Sequence, residues 1–489
     1  MYNLNSLIPR VRTLSVAALL LSASACSFNE VEPVVDPNSA NVNPDNIILN
    51  PTPGQISALA TGVEASLRLG HSGRGQYNAI TGTFGREIYI LALNDNRYYT
   101  ELLGTNAALD NAGPYNDLYV GFSRVRRAAI NFRGSAETAS DAVLSAQQKQ
   151  AIRGYTRTVE ALAMLHLANL QYDNGIRLDV NDIYKPSKFT QNYKAVLDDI
   201  NTRLTTAATE LAAGGTSFGF TLPSGYVAAT STAVGFDTPT KYLKFNRALA
   251  ARVNLYRKDY VAAQTALTAS FYDPAGDLKT GPKIVFNAGA ANDIGNPYAQ
   301  ILNSNVSTLV TAQKDFVADL DRLYPGDARR SKVSLRNNPR TLGGLTGSYD
   351  PNLFAQGTPL DIIRNEELIL IAAEINVAKT SPDFATAVDL INVIYEKAGK
   401  VKVRNPVTNI DEFLKYTGPV NKTALENELL NQRRFSLFYE GHRWVDLRRF
   451  GADGSRGRLD ELPKDLATHK IYDRMPRPVA EVQYDQANP

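Results

Sequence analysis

Apolar residues recur at helical spacing over most of the chain. Between Gln55 and Leu69 they fall at Ile56, Leu59, Val63 and Leu67. Between Ala146 and Leu170 they fall at Ile152, Tyr155, Val159, Leu162, His166 and Leu170, so that each set traces one face of a helix. His166 lies within the second face, where a hydrogen-bonded core histidine is the expectation rather than a ligand. Further helices are predicted over about Asn116 to Phe132 and over Tyr193 to Ala212, the latter ended by Gly214 and Gly215.

Two later segments repeat a helix–turn–helix plan. In TKYLKFNRALAARVNLYRKDYVAAQTALTAS, Asp259 caps a second helix that carries Ala262, Ala263, Ala266 and Leu267. The pair at Arg364 to Lys379 and Pro382 to Ala398 has Ser381 as cap, Pro382 at the first helical position and Gly399 as stop. Small residues let two helices approach closely, and a pair of about 34 residues is the tetratricopeptide unit. Stacked hairpins of this kind build an all-α solenoid in which neighbours complete each other's core. Two stretches rich in Gly, Pro, Ser, Thr and Asn, Gly214 to Pro239 and Pro274 to Pro359, interrupt the array and are expected as long irregular loops.

The densest stretch is NQRRFSLFYEGHRWVDLRRFG, Asn431 to Gly451, which holds the only tryptophan. Thr423 and Glu426 have capping-box spacing for a helix that Gly441 stops, and a short helix follows from His442 to Phe450. Arginines and acids alternate here with large apolar groups, and buried charges persist only when paired. The expected partners are Arg433 or Arg434 with Glu440 or Glu374, and Arg443 with Asp446. On this reading Arg433, Arg434, Glu440, Arg443, Trp444 and Asp446 form a structural clamp. A second reading takes His442 and Asp446, four apart, as metal ligands or an acid/base pair, but no third ligand is evident.

The stretch RRFSLFYEGHRWVDLRRFG resembles the C-terminal signature of the RagB/SusD family of nutrient-uptake outer-membrane lipoproteins. The resemblance extends more weakly through IRNEELILIAAEINVAK, FATAVDLINVIYEKAG and RMPRPVAEVQ, and PGDARRSK resembles a family turn. It implies an α-helical, SusD-like surface protein that binds a nutrient oligomer and works with a TonB-dependent, SusC-like transporter.

Composition narrows the alternatives. A chain of 489 residues with 44% hydrophobic content supports a sizeable core, and by length alone allows two or three domains, although helical repeats of this size form one body. A formal net charge of +3 with both signs interspersed argues against nucleic acid and against an anionic membrane surface as partners. The lone cysteine, Cys26, rules out an internal disulfide and a cysteine-based metal cluster in the monomer. Upstream of it lie Arg10, Arg12, the apolar run Leu14 to Leu21, and Ala23, Ser24 and Ala25, the regions of a secretory signal over residues 1–25. Cleavage after Ala25 leaves Cys26 to carry a lipid, as bacterial lipoproteins resemble at this site, and residues 26–53 read as a tether. The same small residues also suit an ordinary signal peptidase, because Ala23 stands where the lipoprotein pattern has leucine. Residues 54–489 are then one ligand-binding domain.

Three classes of function compete: a binding lipoprotein for glycans or peptides, a hydrolase, and a repeat scaffold. Neither H-E-x-x-H nor a phosphate loop occurs, and GHSGRG follows no strand and precedes no GK[ST]. A pair of glycosidase carboxylates is not readable from spacing. The binding reading alone covers the repeats, the export signal and the polar, aromatic loops, with no cofactor or metal called for. Its ligand site is expected at Asn94, Asp95, Asn96, Arg97, Tyr98 and Tyr99, with Asn296 and Tyr298 from the second long loop opposite. Sugars present C–H faces and hydroxyl rings, which call for aromatic surface beside planar amide, carboxylate or guanidinium groups.

Overall fold

A computed structural model describes residues 47–489 apart from 73–75, 106–107, 231–232, 288, 290–292 and 452–454. The signal segment, Cys26 and most of the expected tether lie outside the described residues. The tether's end does not: the Ile48 N–H donates to the Ser135 hydroxyl and that of Asn50 to Thr138, laying this strip against a helix.

The first half is a stack of antiparallel helices. Helix α1 (Pro53–Ser72) leads through α2 (Tyr77–Phe84), strand β1 (Ile88–Ala92) and the short α3 (Arg97–Thr100) to α4 (Asp117–Thr138) and α5 (Ala146–Gln171). The two-stranded β2 (Ile176–Arg177) and β3 (Phe189–Thr190) precede α6 (Tyr193–Ala212), α7 (Pro239–Tyr256) and α8 (Tyr260–Thr268). Consecutive members of the series α4 to α8 pack on each other, and α1 packs on α4. The helix starts follow from side-chain caps. Ser145 and Gln148 form a full capping box on α5, Asn192 caps α6, and Asp259 accepts from the Ala262 N–H at the start of α8. Gly154 marks where α5 and α6 touch, since a Cβ there would lie 2.8 Å from the Ala207 carbonyl oxygen.

The second long interruption is not irregular. After β4 (Lys283–Ile284) come β5 (Thr308–Ala312), α9 (Lys314–Leu323), β6 (Val333–Leu342), β7 (Leu345–Pro351) and β8 (Leu360–Asp361). With β1 they give a four-stranded antiparallel sheet ordered β1-β5-β7-β6, in register Ile90 to Val310. Gly343 and Gly344, both at positive φ (58° and 81°), close the β6–β7 hairpin, where two consecutive left-handed residues match the strand twist. The sequence did not announce these strands because β6 is mostly polar and half-exposed, without the apolar alternation that betrays a strand.

The C-terminal part restores the helical plan with α10 (Asn365–Ala378), α11 (Phe384–Ile394), the small hairpin β9 (Lys402–Arg404) and β10 (Asp411–Phe413), α12 (Lys422–Ser436), α13 (Arg443–Arg449) and α14 (Val479–Ala487). Two helix starts differ from expectation. Asp383, rather than Ser381 before Pro382, caps α11, and Asn421, rather than Thr423, caps α12. In both cases the side chain that reaches the third N–H onward wins. Helix α11 also runs into a π-helical turn, Tyr395–Gly399, and stops at Lys400 with φ 57° rather than at Gly399. The architecture is the all-α, tetratricopeptide-like scaffold that the repeats predict, with a small sheet inserted.

Candidate ligand-binding site

The arginine-rich terminal stretch lies inside the protein. Trp444 is 0% exposed, stacks on Phe84 with centroids 4.7 Å apart, and donates from Nε1 to the Tyr472 carbonyl at 2.7 Å. The Arg448 guanidinium lies 4.8 Å from the Trp444 ring and donates to the carbonyls of Asp473 and Asn169. Arg433 pairs with Asp446 at 2.7 Å, and Arg449 bridges Asp446 and Glu374. Arg364 takes Glu440 and Glu366, while Arg434 reaches Asp319.

These pairings correct the expected ones. Arg433 and Arg434 meet neither Glu440 nor Glu374, and Arg443 does not meet Asp446, because the partners cross between helices instead of following helical spacing. Arg443 faces Glu87 instead. Burial drives the two in opposite directions, Arg443 down to about 10 and Glu87 up to about 8, and both Glu87 carboxyl oxygens are buried without a hydrogen bond. Asp446 differs: burial alone would raise it, but Arg433 and Arg449 hold it at about 2. Asp446 is engaged by two arginines on both of its oxygens, which opposes a cation beside His442. Among the described residues no group of three or more His, Cys, Asp or Glu is placed to hold a metal ion.

The expected ligand residues come together only in part. A surface cleft of about 670 Å³ between the end of β1 and the segment before β5 is lined by Asn94, Asp95, Tyr98 and, from the far side, Tyr298. Asn94 is exposed, because β1 has ended and the chain turns outward, and α3 then lifts the half-buried Tyr98 into the wall. Asp95 holds the Arg97 guanidinium with two bonds of 2.9 and 2.8 Å, so the two charges neutralise each other beside the cleft.

Arg97 itself is not among the residues that line the cleft, and three further expected residues are also placed elsewhere. Tyr99 points the other way, into a small cluster with Tyr89, Leu91, Leu103, Leu309 and Leu345. Asn296 is buried, its amide donating to the Thr358 carbonyl at 2.6 Å and its oxygen accepting from the Tyr298 N–H at 2.8 Å. Exposed Asn96, at the start of α3, is not among the residues that line the cleft. The cleft also takes Gln76, Gln300 and Gln356, which spacing did not single out. Gln76 carried a signal only in its backbone, held at φ 55° where a side chain is strained.

Tyr298 separates this cleft from a deeper cavity of about 1120 Å³. Its hydroxyl donates to the His71 carbonyl at 3.0 Å and accepts from the Asn78 N–H at 3.3 Å, and both residues line the deeper space. The segment 352–358 completes the partition, with Phe354 facing the deep cavity and Gln356 the open cleft.

The stacked-helix frame thus carries an aromatic and amide-lined cleft on its inserted loops. Residues 352–488 match the family model described as SusD family. Solved structures agree over most of the chain. A SusD superfamily protein from Bacteroides thetaiotaomicron is similar with TM-score 0.61 and 16% identity, covering 89% of this chain and 98% of its own. A structure described as a laminarin binding SusD-like protein is similar with TM-score 0.58 and 15% identity, over 88% of this chain and 97% of its own. A SusD-like carbohydrate binding protein from Bacteroides vulgatus is similar with TM-score 0.55 and 16% identity, over 81% and 83%. No curated protein sequence matches. Residues 352–488 thus match the SusD family model, and up to 89% of the chain shares the fold of SusD superfamily structures.

Proposed function

We propose that this protein binds an oligosaccharide in the open cleft and releases it chemically unchanged. The observation that carries the reading is the meeting, on one cleft, of Asn94, Asp95 and Tyr98 from one segment with Tyr298 and Gln300 from another roughly two hundred positions away. Tyr98 offers a ring face to sugar C–H groups, and the amides and carboxylate offer paired hydrogen bonds to hydroxyls. Carbohydrate binding by structural neighbours supports the same direction.

In this reading residues 1–25 are removed, Cys26 carries the lipid, and residues 26–53 tether the binding domain to the outer membrane. From there the ligand passes to a TonB-dependent, SusC-like transporter. The acyl chains of Cys26 supply the attachment in this reading. A peptide ligand is the second reading, favoured by the aliphatic Ile301 and Val306 on the cleft wall, 81% and 46% exposed.

The test is titration of the purified protein with a panel of neutral oligosaccharides and of peptides, followed by product analysis of each mixture. Saturable binding of an oligosaccharide recovered intact is expected. Binding of peptides alone would transfer the reading to the second ligand class, and steady product formation would make the protein an enzyme.

A further inference from the structure

The deep cavity on the other side of Tyr298 has no role in the reading above. It forms where α1, α2, α5 and α7 converge on the turn before α13, and its floor includes His71, Asn78, His166, Arg252 and His442. Asn78 is only 6% exposed, yet its side-chain amide makes no hydrogen bond among the described residues. His71, 8% exposed, and His166 each keep a buried Nδ1 without a partner. Arg252 donates from Nε and Nη2 to Glu367 and the Ile362 carbonyl, which leaves Nη1 with no partner among the described residues. Lys332 gives two of its three ammonium hydrogens to the carbonyls of Phe435 and Ser436.

Most acids that line the cavity are already engaged, and the exposed Asp277 and Glu396 stand at its rim. Arg252 holds Glu367, Arg364 holds Glu366 and Glu440, and Lys283 holds Asp361. What remains open to a ligand is therefore rich in donors: a guanidinium nitrogen, an ammonium hydrogen, an amide and neutral imidazoles. Burial pushes His71 and His442 down to about 4, so at neutral pH an imidazole here offers one N–H and one lone pair. Buried polar groups left without partners call for an explanation, and several around one cavity call for a ligand that answers them together. The wall is unusual in its backbone as well, since the π-helical turn Tyr395–Gly399 presents Glu396, Lys397 and Ala398 to the cavity, and such turns recur at functional sites.

We propose that this cavity is a second ligand site and that it takes a small sugar acid, a polyhydroxylated ring bearing a carboxylate. The carboxylate answers the open hydrogens of Arg252 and Lys332, which form charge-assisted bonds. Ring hydroxyls answer Asn78, and the C–H face lies against Tyr256 or Phe354, which line the same space. A volume of about 1120 Å³ accommodates one or two such rings. The inference does not rest on the open cleft, because Tyr298 and the segment 352–358 divide the two spaces.

Calorimetric titration of the purified protein with D-glucuronate and with D-glucose tests it, since the two differ by the carboxylate alone. Saturable glucuronate binding is expected, at least tenfold tighter than glucose. Asn78→Leu, which fills the floor without breaking a side-chain hydrogen bond, should weaken glucuronate at least tenfold. If that variant fails to fold, Asn78→Ala should still weaken it severalfold. Absence of saturable glucuronate binding, equal binding of glucose, or unchanged binding in a folded Asn78 variant overturns the proposal. None of these results touches the oligosaccharide titration of the open cleft.

Discussion

The terminal clamp and the open cleft hold the same kinds of side chain, aromatic rings, arginines and carboxylates, yet use them in opposite ways. In the clamp Phe435, Phe438, Tyr439 and Trp444 are enclosed and charges pair across helices, as Arg433 does with Asp446 and Arg449 with Glu374. In the cleft, Asn94 is exposed, Tyr98 is half-buried, and the one ion pair, Asp95 with Arg97, closes within its own turn. The difference teaches that a dense, memorable stretch of sequence here marks the frame, while the proposed recognition site is carried by a thin loop. Burial makes each clamp residue depend on many others, so few replacements are tolerated, whereas a half-buried ring at the edge of the core has fewer neighbours to lose.

The sharpest way to break the contrast is to remove the tryptophan. Trp444→Ala deletes a fully enclosed ring stacked on Phe84 and should cost about 3–5 kcal/mol, read by denaturant unfolding. A variant that unfolds like the parent but has lost ligand would place recognition in the clamp. Asp446→Ala should cost a comparable amount, roughly 3–5 kcal/mol, because it leaves Arg433 and Arg449 facing each other in the interior.

A gentler probe is pH. Against the effect of burial, arginines hold Asp446, Glu366 and Glu367 near 2, below the ordinary carboxylate range, so their contribution is present above about pH 4.5 and fades as pH falls toward 2. Glu87 has the opposite sign. Burial raises it from 4.5 to about 8, so the fold loses stability as pH rises between those values. Glu87→Gln should therefore raise the melting temperature at pH 8 and change it little at pH 4. An equal shift at both values would mean that Glu87 is charged throughout.

Much of the frame was legible in the sequence because its rules are local. Periodic apolar positions located α1, α4, α5 and α6, and Asp259 capped α8 as its spacing required. The caps at Asp383 and Asn421 were missed where several candidate residues lie within three positions. The clamp was recognisable as buried and charged, but its pairs were not, since the spacing of Arg443 and Asp446 suggests a bond that the crossing of α12 and α13 gives to Arg433 instead. Within the cleft, the choice of Asn94 to Tyr99 rested on composition, and composition does not say which way a ring faces: Tyr98 turns to the cleft and Tyr99 to the sheet. Asn296 looked like a recognition residue and is instead a staple holding its own loop. The deep cavity was beyond reach, because His71, Lys332 and His442 come from distant parts of the chain.

The most direct measurement is made on Tyr98→Ala. Denaturant unfolding and affinity for the bound oligosaccharide are determined on the same preparation. Half-buried at the cleft wall and packed against the edge of the core, the ring should contribute about 1–2 kcal/mol to folding, well below Trp444. Affinity should fall at least tenfold, about 1.4 kcal/mol. Unchanged affinity in a well-folded variant, or a loss of stability as large as that of Trp444→Ala, would contradict the division between frame and cleft.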